Sequence, residues 1–249
     1  MQATALSILC DGRRLSGGAE VPDDPKGLVL LLHGLPSISP PAADDMGYPG
    51  LAKTFADAGW IGAWVDMRGV RGSKGDFSIQ GWVRDAQAAL DAARTIEGAG
   101  SLPVAVVGSS AGGAVATELV RRGARVDALV LLAAPAEWIS FAGKPEEGLR
   151  RVTEDAGLTV APESIEDPAA WAAEFDEVST ARSISGVTVP TLILHGTADD
   201  VVPVDHATRI ADRSRHAETR IIEGAGHQLR RDPEAVSFVF DWLERNLPK

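Results

Sequence analysis

The chemistry of this chain starts at Ser110. The segment Val104-Ala105-Val106-Val107 is a short apolar run rich in β-branched residues and reads as a buried strand. It stops at Gly108-Ser109-Ser110-Ala111-Gly112, after which Ala111, Ala114, Val115 and Leu119 recur at helical spacing. A Gly-x-Ser-x-Gly between a strand and a helix is the setting in which a serine stands at the tip of a sharp turn with its hydroxyl exposed. Glycines flank it because strand and helix approach too closely there for side chains. The N–H of Ala111 opens the helix, where unpaired donors and the helix dipole favour a negative oxygen. A hydroxyl and an oxyanion donor side by side are the parts of nucleophilic attack on a carbonyl.

A serine needs a base to take its proton, and a histidine base needs an acid to fix its tautomer and stabilise its cation. The chain has five histidines. His33 and His195 end apolar runs and are expected to shape their own loops by local hydrogen bonds. His206 and His216 lie on or beside a charged helix and are expected to be solvated. His227, in Glu223-Gly224-Ala225-Gly226-His227, occupies a flexible turn between a strand and a terminal helix. Two adjacent acids, Asp199 and Asp200, follow His195. The residues alone do not choose between them.

The elements that must position these groups alternate along the chain. Thr4 to Cys10 and Arg14 to Val21 read as two strands joined through Asp11-Gly12, a favoured hairpin turn. Gly27 to Leu32, Ile61 to Val65, the run before Ser110, Val126 to Leu132, Thr191 to Leu194 and Thr219 to Ile222 read as further strands. Helices are expected at Leu51 to Ala58, from Ile79 to Ala93, after Ser110, over Ala207 to Arg215, and from Pro233 to the end. Ser37 to Gly50 reads as an exposed loop. This alternation implies an α/β fold, a mostly parallel sheet with helices on both faces. Residues 1–249 are expected to form one domain. Within it, about 55 residues after the sixth strand, Pro135 to Val189, exceed an ordinary crossover. They read as a crossover helix plus a small helical, cap-like insertion over the site.

The formal charge of −11, from 35 acidic and 24 basic residues, argues against a nucleic-acid or anionic-membrane partner. Cys10 is the single cysteine, so no intramolecular disulfide forms and a cytoplasmic setting is expected. No apolar stretch approaches a membrane span, and the N-terminal residues do not read as a signal peptide. No cluster has metal-ligand spacing, and no glycine-rich loop resembles a phosphate cradle.

From Gly27 to Leu247 the chain resembles the α/β-hydrolase family, in its serine esterase and peptidase-like branch. The resemblance implies a triad in the chain order serine, acid, histidine, which Ser110, Asp199 and His227 fit. The family spacing Gly-x-x-Asp selects Asp199 over Asp200. His33-Gly34-Leu35-Pro36 resembles the family's oxyanion loop and would make the Leu35 N–H the second donor beside Ala111. Asp66-Met67-Arg68-Gly69 through Ser73-Lys74-Gly75 resembles the Asp-x-Arg-Gly…Ser-x-Gly loop of serine esterases, feruloyl-type esterases and peptidase-like relatives. Arg68 is expected to brace the oxyanion loop through backbone carbonyls. Branches with cysteine or aspartate as nucleophile, such as dienelactone hydrolases, haloalkane dehalogenases and epoxide hydrolases, are excluded by Ser110.

The activity so implied is hydrolysis of a small-molecule carboxylic ester through an acyl-enzyme, with no cofactor. Trp138, Phe141 and Trp171 could line an acyl pocket or form the insertion's own core. Trp138 and Phe141, nearest the exit from the sixth strand, are the expected substrate-binding pair. A peptidase or amidase, a thioesterase, and a perhydrolase or lyase could use the same triad. A non-catalytic binding protein on this fold would have no need of a complete one.

Overall fold

The computed structural model describes residues 1–247, without the side chains of residues 139 and 140. Its N-terminal segment forms four strands where two were expected. β1 (Gln2–Ala5) and β4 (Gly17–Val21) pair antiparallel, while β2 (Ile8–Cys10) and β3 (Arg13–Leu15) form a separate hairpin. Each expected strand breaks in its middle because the hairpin leaves the sheet to bury Ile8, Cys10 and Leu15 in the core. Its turn is the one expected: Asp11 and Gly12 have φ of 48° and 72°, the left-handed pair of a type I′ hairpin.

Six more strands follow: β5 (Leu28–Leu32), β6 (Ile61–Val65), β7 (Val104–Ser109), β8 (Ala128–Leu132), β9 (Thr191–Gly196) and β10 (Ala217–Ile222). With β1 and β4 they make one eight-stranded sheet in the order β1-β4-β6-β5-β7-β8-β9-β10. Every pairing from β6 through β10 is parallel, and β1 and β4 add an antiparallel edge. The α/β fold read from the alternation is therefore present.

The main helices are α1 (Gly47–Asp57), α2 (Ile79–Ala93) and α3 (Ala111–Arg121), and, after five short helices in the insertion, α9 (Asp205–Ala211) and α10 (Pro233–Asn246). Their faces are set by the strands' period of two. On β5, Leu28, Leu30 and Leu32 join the apolar cluster shared with α2, α3 and α9, while Val29 and Leu31 join the one shared with α1 and α10. Caps fix where helices begin. The Ser78 side chain accepts from the Gly81 N–H at the start of α2, and Asp232 accepts from Ala235 at the start of α10, with Pro233 in the first turn.

The insertion follows β8, the sixth strand in the expected count. It holds α4 (Ile139–Ala142), α5 (Pro145–Arg150), α6 (Pro162–Glu166), α7 (Pro168–Glu177) and α8 (Thr180–Ser183), with a π-helical turn after α5. The longest, α7, has 10 residues. Such short helices cannot stand on propensity and must share a core. That core is aromatic. Trp138 meets Phe141 and Phe175 with ring centroids 5.4 and 5.2 Å apart, and Trp171 meets Phe175 at 4.8 Å. No helix among the described residues is long and apolar enough to cross a membrane.

Candidate active site

β7 lies in the middle of the sheet, and the chain leaves it through an abrupt turn into α3. Ser110 is that turn, with φ 52° and ψ −124°, a conformation costing a non-glycine residue about 1–3 kcal/mol. The surroundings hold it there. Its N–H donates to the Leu132 carbonyl at 2.8 Å, and its own carbonyl accepts from Gly113 at 2.8 Å. The motif glycines answer to close approach: a Cβ on Gly108 would fall 2.3 Å from the Gly112 carbonyl oxygen, and one on Gly112 2.4 Å from that of Leu32. Ala111 is the first residue of α3, so helix geometry leaves its N–H without an intrahelical partner.

The loop after β5 passes directly over this turn. A Cβ on Gly34 would meet the Ser110 Cβ at 2.9 Å, so Gly34 permits the approach that brings Leu35 to the same cavity as Ser110. His33 anchors this loop. Its Nε2 accepts from the Met67 N–H at 2.9 Å and its Nδ1–H donates to the Gly34 carbonyl at 2.8 Å, so both ring nitrogens are used by the neutral form. Burial pushes the His33 imidazole down to about 4. Its role is the local one expected for it.

Asp199 sits in the loop after β9 with its carboxylate fully buried. Oδ1 accepts from the N–H groups of Val201 at 2.9 Å and Val202 at 2.8 Å, which leaves Oδ2 for the histidines. His227, in the loop after β10, has Nδ1 2.8 Å from that oxygen. A carboxylate only accepts, so the Nδ1–H of His227 donates and Nε2 keeps its lone pair. His195 stands behind, its Nε2 2.8 Å from the Val202 carbonyl and 3.3 Å from Asp199 Oδ2. Asp200 is exposed. Of the two adjacent acids, it is Asp199 whose carboxylate lies within hydrogen-bond reach of His227.

Ser110, His227 and Leu35 line one open cavity of about 560 Å³. The proline-rich loop after Pro36 runs along its mouth, tied down by ion pairs from Arg230 to Asp45 and from Arg231 to Asp44. From the insertion, among the described residues, Ala156, Gly157 and Leu158 contribute to the wall. Among the described residues, no group of three or more His, Cys, Asp or Glu is arranged to hold a metal ion.

Several expectations need correction. Trp138 and Phe141 are 7% and 4% exposed and lie outside the cavity wall, because they pack against each other and against Trp171 and Phe175 in the insertion's own core. Arg68 does not brace carbonyls. Its guanidinium is held by Asp85 and reaches Asp11 of the hairpin, while its backbone carbonyl accepts from the Trp82 indole. His206 is not simply solvated: its Nδ1 accepts from the Ala136 N–H at 2.9 Å and ties α9 to the start of the insertion. Sequence reasoning also missed Tyr48, Arg71 and Arg230 in the wall. Arg230 and its partner Asp45 are 185 residues apart, and no local pattern marks such a pair.

Known proteins agree with this architecture. Est1E from Butyrivibrio proteoclasticus, solved with ferulic acid bound, superposes with a TM-score of 0.72 at 20% identity, over 96% of this chain and 98% of that one. The Pyrococcus furiosus esterase Pf2001 gives 0.73 at 18% identity, over 99% and 92%. At such identities the likeness is one of fold. A 54-residue stretch is 41% identical to alpha/beta hydrolase domain-containing protein 17B of Homo sapiens; it is 21% of this chain and spans only 19% of that relative's length. The prolyl oligopeptidase family matches residues 49–249, which include Ser110, Asp199 and His227. With that match over most of its length and this sheet beneath it, the chain belongs to the prolyl oligopeptidase family and has the α/β-hydrolase fold.

Proposed function

We propose that this protein is a serine hydrolase that cleaves small carboxylic esters through an acyl-enzyme intermediate. His227 Nε2 takes the Ser110 proton as Oγ attacks the substrate carbonyl. The resulting oxyanion is stabilised by the N–H groups of Leu35 and Ala111. Asp199 holds the His227 tautomer and balances the imidazolium that forms. His227 then protonates the leaving alcohol, and afterwards takes a proton from the water that releases the acid. This route needs no cofactor.

One observation carries the reading: a serine held at φ 52° shares its cavity with a histidine whose other nitrogen is 2.8 Å from a buried carboxylate. Backbone strain of that kind at a cavity wall is a pointer to function. The modest size of the cavity, about 560 Å³, supports a small molecule as substrate. Cys10 is free and buried, which supports a cytoplasmic setting.

Amide-bond cleavage is the second reading, favoured by the family's peptidase members. It requires the same groups to protonate a poorer leaving group. Matched ester, thioester and amide substrates of one acyl group decide between the two. The proposal expects acid release from the ester with kcat/KM well above that of the amide, and loss of this activity in Ser110→Ala. An amide turned over as fast as its ester would favour the peptidase.

A further inference from the structure

Arg71 stands in a backbone conformation that its residue type disfavours. It lies at the tip of a tight turn in which Val70 donates to the Met67 carbonyl at 3.0 Å and Ser73 to the Val70 carbonyl at 2.9 Å. Its φ is 46°, in the left-handed region where glycine would sit without cost. The side chain nevertheless lines the cavity that holds Ser110 and His227. Its Nη1 donates to Asp66 Oδ1 at 2.8 Å. The two partners differ in exposure: the Arg71 side chain is 57% exposed and that of Asp66 only 6%. Asp66 is absent from the cavity wall, so a buried carboxylate behind the wall holds one nitrogen of a largely exposed side chain that belongs to a wall residue.

Two other arginines line the cavity, and neither is equivalent. Both terminal nitrogens of Arg230 are taken by the two oxygens of Asp45, and Arg231 gives Nη2 to Asp44 and Nη1 to Gln228. Arg71 has a single nitrogen engaged. The edge formed by its Nε and Nη2 is left with two parallel donors, the fork that matches the two oxygens of a carboxylate. The protein as a whole carries −11, a field that would discourage anions without such a local receptor.

We propose that Arg71 receives a carboxylate carried by the substrate, so that the preferred ester is anionic. This inference rests on the serine hydrolase reading of the same cavity. The carboxylate can come from either side of the scissile bond, as the far end of a dicarboxylic half-ester or as part of a hydroxy-acid leaving group.

The test compares esters in which a carboxylate replaces one methyl group: monomethyl adipate against methyl hexanoate, and O-butyryl lactate against isopropyl butyrate. In at least one pair the anionic ester should have the higher kcat/KM by about tenfold or more, the value of a charge-assisted hydrogen bond. Arg71→Gln should shrink that ratio by about ten- to a hundredfold, chiefly through KM, with Arg71→Lys in between. Arg71→Gly, which suits the turn, is the second variant and should lose the ratio as well. The pair that responds identifies the side bearing the carboxylate. No anionic preference in either pair, or a preference that survives both Arg71→Gln and Arg71→Gly, overturns the proposal. Fluorophosphonate labelling of Ser110 run in parallel separates the two readings: labelling without anionic preference leaves the hydrolase reading intact. If no ester is turned over, calorimetric binding of adipate decides, with binding that Arg71→Gln abolishes supporting the receptor and no binding overturning it.

Discussion

His227 Nδ1 and Asp199 Oδ2 lie 2.8 Å apart although 28 residues separate them in the chain. The pairing is over-determined on the Asp199 side, where two backbone N–H groups hold Oδ1 and His195 approaches Oδ2. It leaves Nε2 of His227 free, the nitrogen that takes the serine proton in the proposed mechanism.

Asp199→Asn should therefore lower kcat by about a thousandfold or more, because an amide can donate to Nδ1 and reverse the tautomer. Asp200→Asn, at an exposed position, should leave kcat within a few-fold of the parent. Steady-state kinetics on one ester check both. A large loss in Asp200→Asn alone would reassign the acid.

His33 makes the protein's stability depend on pH. Burial holds its folded-state imidazole at about 4, below the ordinary histidine value, so the unfolded chain binds a proton that the folded one refuses. Its contribution is present above about pH 6.5 and is lost as the pH falls toward 4, at a slope of up to about 1.4 kcal/mol per pH unit. Burial depresses His195 and His206 in the same direction, so His33→Gln should flatten the slope without abolishing it. Urea midpoints between pH 7 and pH 4.5 measure this. An unchanged slope in the variant would show that His33 is not the titrating group.

The aromatic core of the insertion yields a stability prediction in place of a specificity one. Phe141→Ala should cost about 3–5 kcal/mol and lower the thermal midpoint, while the ratio of octanoate to acetate ester hydrolysis changes little. Leu158→Trp, in the cavity wall, should instead shift that ratio against octanoate, since pocket contacts discriminate by about 1–3 kcal/mol per methylene. An acyl-length profile altered by Phe141→Ala and not by Leu158→Trp would return specificity to the aromatic cluster.

How far the sequence could be read follows from how local each signal is. The strand, sharp turn and helix around Ser110 are contiguous, and so are the loops carrying Asp199 and His227. Their elements could be recognised one by one, and the triad order then followed from resemblance. The sheet was legible for the same reason, since β5 to β9 are solid apolar runs. The N-terminal strands were misjudged because nothing within them signals that the hairpin must depart to cover the core. Trp138 and Phe141 were misplaced because an apolar side chain suits a core and a pocket equally well. The partners of Arg68 and Arg230 are set by tertiary approach, and only the folded chain reveals them.

The central claim is that Ser110 is the nucleophile, and a fluorophosphonate probe tests it most directly. Incubated with the active protein, the probe should add once per chain, abolish ester hydrolysis in step with labelling, and appear by peptide mass spectrometry on Ser110. Ser110→Ala should fold, lose turnover by several orders of magnitude and take no label. An adduct on Ser109 or elsewhere, or full ester hydrolysis by protein that the probe does not modify, would contradict the account.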